Sequence, residues 1–116
     1  MNPDEFWQYL ERLVAESRII LDRQKGSQHP HYPNIVYPLD YGYLDGTASS
    51  DGGGIDIWCG ASGTRDLSAV ILTVDLNKRD AEVKILLGCA EEEIQTILAF
   101  HNENDMRATL VRKPKE

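Results

Sequence analysis

The segment YPLDYGYLDGTASSDGGGIDIW, residues 37–58, concentrates three tyrosines, four aspartates and five glycines. Glycines allow positive φ angles and a close approach of the backbone to a ligand, and carboxylates bind hard cations such as Mg²⁺. The same composition is also typical of a tight turn with solvated acidic side chains. The segment therefore predicts either a site for a metal ion and phosphate or an ordinary acidic loop.

Residue spacing within the segment favours short strands. The alternation in IDIW, residues 55–58, would place Asp56 and a tryptophan on one face and two isoleucines on the other. Tyr37, Tyr41 and Tyr43 are separated by even numbers of residues, so on one strand they would share a face. They are either an aromatic cluster of the core with hydroxyls at its rim, or donors to phosphate oxygens.

The flanking elements predict one α+β domain. Residues 4–17 carry an apolar stripe at helical spacing, and residues 90–102 begin with glutamates before a second stripe, so both are predicted helices. Strands are predicted where β-branched and apolar residues alternate or run together, at residues 17–23, 67–75, 81–88 and 107–113. This order favours an antiparallel or mixed sheet, or a small β-barrel, with helices packed outside. The length predicts a single domain, residues 1–116.

Composition restricts the classes of partner. A formal net charge of −7 opposes binding to nucleic acid, because that binding depends on basic side chains that displace counterions from phosphates. No segment is apolar enough to predict a membrane span, and the N-terminus lacks the features of a secretion signal, so a cytoplasmic location is expected.

Cys59 and Cys89 have no metal-type spacing and are predicted to be small buried thiols. His101, near the end of the second predicted helix, could favour its charged form through the helix dipole.

Two pairs of aspartates share a five-residue spacing. Asp75 ends one predicted strand and Asp80 begins the next, so with LNKR as a hairpin turn their carboxylates would face each other. Like charges directly opposite each other cost about 0.2–1 kcal/mol. Basic residues of the turn, solvation or a divalent cation could offset that cost. Asp51 and Asp56 repeat the spacing around GGGI, and each pair alone is a weak signal.

Taken together, these residues resemble a known family. YPLDYGYLDGT followed by SSDGGGIDIW is similar to the signature region of soluble inorganic pyrophosphatases of the β-barrel family, which runs Tyr-Pro-x-Asn-Tyr-Gly-Tyr-Ile, then Thr, then Asp-Gly-Asp-Pro-x-Asp. The resemblance needs no gap from Tyr37 to Asp56, and it covers about residues 18–88. It implies an α+β fold with a small OB-type barrel, an N-terminal helix and a C-terminal helix. It also implies hydrolysis of pyrophosphate or a related phosphoanhydride to phosphate, with Mg²⁺ or Mn²⁺.

By position, the resemblance implies roles for eight residues. The expected metal ligands are Asp51, Asp56, Asp75 and Asp80. The expected catalytic residues are Asp56 and Tyr41, and the expected substrate-binding residues are Arg18, Tyr37, Tyr41 and Lys84. Arg18 falls where the family has a phosphate-binding lysine, and Lys84 shares a strand face with Glu82, which replaces another lysine.

Departures from the family pattern keep other functions open. Gly53 stands where the family has the aspartate assigned to the attacking water, and Asn102 and Glu103 fall near a Tyr-Lys pair of the family's last helix. One alternative is a module of the same fold that binds metal or phosphate without turnover. Another is a protein-interaction domain with solvated aspartates. A homo-oligomer is also plausible, because a short barrel often needs a partner to cover its edges.

Overall fold

The computed structural model describes residue 2 and residues 4–115 of the chain. Helix α1 spans Asp4–Glu16 and helix α2 spans Glu91–Phe100. The six strands are β1 (Ile19–Arg23), β2 (Asp40–Leu44), β3 (Ile55–Cys59), β4 (Leu67–Asp75), β5 (Asp80–Leu87) and β6 (Met106–Arg112). Both predicted helices and all of the predicted strands are confirmed. Neither helix, in the part of the chain described here, is long and apolar enough to cross a membrane.

The strands form one mixed sheet in the order β1-β2-β3-β5-β4-β6. Every neighbouring pair is antiparallel except β3 and β5, which are parallel. The predicted α+β class, a mixed sheet with an N-terminal and a C-terminal helix, is therefore confirmed. The hydrogen-bonded ladder begins at β1 and ends at β6, so β2, β3, β5 and β4 lie inside the sheet.

Alternation along the strands divides the core into two clusters. On one face of the sheet, Ile57 and Ile85 pack with Val14 of α1. On the other face, Trp58 and Leu86 pack with residues of α2. The residues two positions before Trp58 and Leu86 are Asp56 and Lys84. Their side chains therefore belong to the α2 face, as the alternation in IDIW predicted for Asp56.

The two cysteines are half-buried free thiols. Burial raises the pKa of Cys59, and burial together with the Glu93 carboxylate raises the pKa of Cys89 to about 12. Both side chains are therefore neutral thiols at neutral pH, and neither has the lowered pKa of a reactive cysteine. The prediction of free thiols is confirmed, but the two side chains are half-buried rather than buried.

Candidate active site

Three side chains from adjacent interior strands meet on the α2 face of the sheet. Tyr41 lies on β2, Asp56 on β3 and Lys84 on β5, and the parallel register of β3 and β5 places Asp56 and Lys84 side by side. Lys84 Nζ donates hydrogen bonds to Tyr41 Oη and to Asp56 Oδ2, each 2.8 Å long. Sequence reasoning selected all three residues as site candidates, and the structure brings them together.

The lysine of this group is buried, with only 5% of its surface exposed. Burying an ammonium group is costly unless it is paired and hydrogen-bonded. Here the Asp56 carboxylate and the Tyr41 oxygen provide the compensation. These contacts use two of its three N–H bonds. No described residue accepts the third, so it is available to an acceptor.

Tyr37 and Tyr41 belong to an aromatic cluster behind this group. Their ring centroids lie 5.4 Å apart, and the Tyr41 ring lies 4.6 Å from Trp58. Burial, followed by the Asp56 carboxylate, raises the pKa of Tyr41, and burial raises the pKa of Tyr37 while Arg23 opposes part of that effect. Both phenols are therefore neutral hydroxyls at any physiological pH. The core-cluster interpretation is confirmed for these two tyrosines.

A buried histidine closes the inner end of the cluster. Trp58 Nε1 donates a 3.0 Å hydrogen bond to His101 Nε2, so the ring proton of the neutral imidazole resides on Nδ1, which faces Met106 Sδ at 3.3 Å. Burial, with a smaller effect of the Lys84 charge, lowers the pKa of His101 to about 3. The expectation that the helix end favours a charged His101 is wrong, because desolvation outweighs the helix dipole.

Four of these residues, Tyr37, Tyr41, Lys84 and His101, line a cleft of about 410 Å³. Its wall combines aromatic rings with two lysines, Lys78 from the β4–β5 turn and the buried Lys84. Four carboxylates also line it: Asp75, Glu82, Glu103 and Asp105. Burial, the largest effect, and neighbouring carboxylates raise the pKa of Glu82, while Lys84 opposes them. The cleft is therefore rich in charge and acidic overall.

The aspartates expected to bind metal have partners of their own. Asp51 Oδ1 accepts hydrogen bonds from Ser49 Oγ at 2.6 Å and Gly53 N at 2.9 Å, and these bonds lower the pKa of Asp51. Asp75 Oδ1 accepts from the amides of Asn77 at 2.9 Å and Lys78 at 3.1 Å. Both carboxylates therefore stabilise their own turns.

The predicted pairing of Asp75 with Asp80 across the hairpin is present, since the two residues are register partners. The turn amides, and not the basic side chains of LNKR, contact Asp75. Among residue 2 and residues 4–115, no three His, Cys, Asp or Glu side chains converge closely enough to hold a metal ion. The four expected metal ligands do not fit a shared metal site in this arrangement, and their metal role remains a prediction.

Of the eight residues with roles implied by the family resemblance, four are not among the described residues that line the cleft: Arg18, Asp51, Asp56 and Asp80. Asp56 nevertheless contacts Lys84, which does line it. Arg18 is exposed and precedes β1 at the end where Ile19 pairs with Leu44, whereas Arg23 pairs with Tyr41. Neither Arg18 nor Tyr43 is among the described residues that line the cleft. Arg23, which influences the Tyr37 hydroxyl, lies nearer Tyr37 and Tyr41 than Arg18 does, but it is not among the described residues of the cleft wall either.

Sequence reasoning missed the Trp58–His101 hydrogen bond and the place of Lys78 in the cleft wall. Lys78 had a usable signal. A hairpin turn that brings Asp75 and Asp80 together carries the residues between them to the same edge of the sheet. The partnership of Trp58 with His101 joins residues 43 positions apart, and no local pattern marks it.

Comparison with known proteins supports the fold. No protein-family model and no curated protein matches the sequence. Among solved structures, the chain is similar to the inorganic phosphatase from Anaplasma phagocytophilum, with 14% sequence identity, 81% of each chain covered and a TM-score of 0.57. This likeness shows a shared fold. It agrees with the fold implied by the sequence resemblance.

Proposed function

We propose that this chain binds a small phosphate compound, pyrophosphate or a related phosphoanhydride, as its complex with a divalent cation, in the cleft beside Lys84. The observation that carries the proposal is the buried Lys84 ammonium, which lines the cleft and has one N–H beyond its bonds to Tyr41 and Asp56. Hydrogen bonds from a charged donor are the stronger kind, and phosphate oxygens are strong acceptors. The fold shared with an inorganic phosphatase supports the same ligand class.

The charge of the cleft supports a phosphate that arrives with its own cation. Four carboxylates against two lysines would repel a bare polyanion. Chelation by Mg²⁺, or by Mn²⁺ in its place, reduces the negative charge of the phosphate. Mg²⁺ also keeps several water ligands, to which carboxylates at the cleft wall can hydrogen-bond. The metal ion would then enter the cleft as part of the phosphate complex. In that case the protein does not need four aspartates that converge on one metal ion.

Calorimetric titration tests this proposal. Magnesium pyrophosphate is titrated into the wild type, Lys84→Met and Lys25→Met at fixed ionic strength. Lys25 is exposed and is not among the described residues of the cleft wall, so it controls for the loss of one positive charge. We expect Lys84→Met to weaken binding by about tenfold to a hundredfold, the worth of a hydrogen bond from a charged group, and Lys25→Met to bind like the wild type. Absence of saturable binding to the wild type, or equal losses in both variants, would refute the proposal.

A second candidate function is magnesium-dependent hydrolysis of pyrophosphate. Two observations favour it: the likeness to an inorganic phosphatase, and the direct contact of both expected catalytic residues, Asp56 and Tyr41, with Lys84. The absent carboxylate at Gly53 counts against it. A Cβ at Gly53 would meet only Asp51 Oδ1, at 3.3 Å, and the backbone there is outside the left-handed region, so Gly53→Asp should fold.

Phosphate release from pyrophosphate, with Mg²⁺ or Mn²⁺, distinguishes the two functions. The proteins compared are the wild type, Asp56→Asn, Gly53→Asp and the control Asp45→Asn, which removes an exposed carboxylate with no described bond to Lys84. Release that Asp56→Asn abolishes and Asp45→Asn preserves identifies a hydrolase. Release by Gly53→Asp but not by the wild type identifies a binding module without turnover. The cytoplasmic location, the homo-oligomer and the absence of nucleic-acid binding remain predictions.

A further inference from the structure

Asp56, one of the expected metal ligands, already forms an ion pair with Lys84. Its Oδ2 atom lies 2.8 Å from the Lys84 ammonium nitrogen, and 23% of its side chain is exposed. Mg²⁺ binds a carboxylate oxygen at about 2.0–2.1 Å. An ion at that distance from Oδ2 on this side would overlap the ammonium group and repel its charge. The ammonium and a metal ion therefore compete for the same carboxylate.

We propose that Lys84 is the built-in cation of the cleft: its ammonium takes the place of a divalent ion at Asp56, so this carboxylate does not bind metal in the folded protein. The sheet itself fixes the pair, because Asp56 and Lys84 are register partners in the parallel β3–β5 ladder. Burial of Lys84 and its second bond, to Tyr41 Oη, hold the ammonium in place. The proposal concerns metal binding in the absence of phosphate, so it does not depend on the proposed phosphate ligand.

The neighbouring carboxylates favour this arrangement. Asp51 and Asp75 each accept hydrogen bonds from their own turns. These bonds hold each carboxylate at its turn and do not direct it toward Asp56. Lys84 supplies a positive charge whose presence does not depend on the concentration of free metal. It therefore gives the inner end of the cleft a permanent donor for an anionic oxygen.

A binding titration with Mn²⁺ alone, without phosphate, tests the inference. In the wild-type background, Asp56→Asn should leave the Kd for Mn²⁺ unchanged within about threefold, since a carboxylate paired with Lys84 contributes nothing to metal binding. Lys84→Met should lower the Kd by about tenfold or more, equivalent to about 1.4 kcal/mol, because it frees Asp56. Adding Asp56→Asn to Lys84→Met should remove that gain.

Lys78→Met is the matched control for charge. Lys78 lines the same cleft and has no described bond to Asp56, so its removal should change the Kd less than Lys84→Met, and Asp56→Asn should not reverse the change. The inference is overturned if Asp56→Asn alone weakens Mn²⁺ binding tenfold, or if folded Lys84→Met gains no affinity. Should Lys84→Met fail to fold, the comparison of wild type with Asp56→Asn still decides. Since no phosphate is present, either result leaves the proposed ligand to its own test.

Discussion

Mild acid should destabilise this fold through His101. The pKa of this histidine is about 3 in the folded protein and 6.5 when exposed, because burial disfavours the imidazolium. A group with a lowered folded pKa stabilises the protein above its unfolded pKa, and that contribution is lost as the pH falls from 6.5 toward 3. The bond from Trp58 explains the direction: protonating Nε2 would set two N–H donors against each other.

The size of the effect follows from the two pKa values. By linkage, the free energy of unfolding should fall by about 2 kcal/mol between pH 7.5 and pH 5, and by about 5 kcal/mol once the pH is below 3. His101→Gln should remove this dependence, since the glutamine oxygen can accept the Trp58 N–H and does not titrate. His31, an exposed histidine, provides the control variant His31→Gln.

Urea unfolding at pH 7.5, 6, 5.5 and 5, followed by tryptophan fluorescence, measures the effect for all three proteins. The lowest pH is close to the isoelectric point of about 4.9, so dilute protein is required. We expect the wild type and His31→Gln to lose about 2 kcal/mol over this range and His101→Gln to lose much less. Equal losses in the wild type and His101→Gln would show that His101 is not the group responsible.

Four further substitutions test the packing and the hydrogen bonds at the start of α2. Gly42→Ala should cost about 3 kcal/mol, because a Cβ there would overlap the Ile20 carbonyl oxygen of the neighbouring strand, whereas Gly53→Ala should be mild; equal urea midpoints would contradict this. Ile57→Ala removes a fully buried side chain and should also cost about 3 kcal/mol, so a loss below about 1 kcal/mol would be inconsistent with its place in the core. Glu93→Ala should cost about 1–2 kcal/mol, because the Glu93 carboxylate accepts the N-cap amide of α2 and an amide of the β3–β4 loop; unchanged thermal unfolding would argue against that role.

The features that sequence reasoning predicted correctly are those that local spacing determines. Alternation in IDIW assigned Asp56 and Ile57 to opposite faces, and the structure agrees. The four residues between Asp75 and Asp80 predicted a hairpin, and the two aspartates are register partners. In both cases the periodicity of two in a strand, or the length of a turn, is sufficient information.

The features that it did not predict depend on pairing between distant segments. Asp56 and Lys84 are 28 residues apart and meet because β3 pairs with β5 rather than with β4. Nothing in either strand alone indicates that parallel pairing. His101 follows the same logic, since its neutral state depends on burial against Trp58 and not on its place near a helix end. Arg18 was assigned by position in a family pattern, but it precedes β1, and that strand pairs Arg23 with Tyr41.

The strand order gives the two lysines of the cleft different mobility. Lys84 and its partners Tyr41 and Asp56 lie on three consecutive interior strands, so freeing the buried ammonium requires opening the centre of the sheet. Lys78 lies on an exposed turn, where local fluctuations cost little free energy. In hydrogen exchange, amides around Lys84 should exchange only through near-global unfolding, while those of the turn should exchange rapidly. A ligand that enters the cleft would thus meet two different positive charges. The charge of Lys84 is held as rigidly as the core, and the charge of Lys78 can move to fit the ligand.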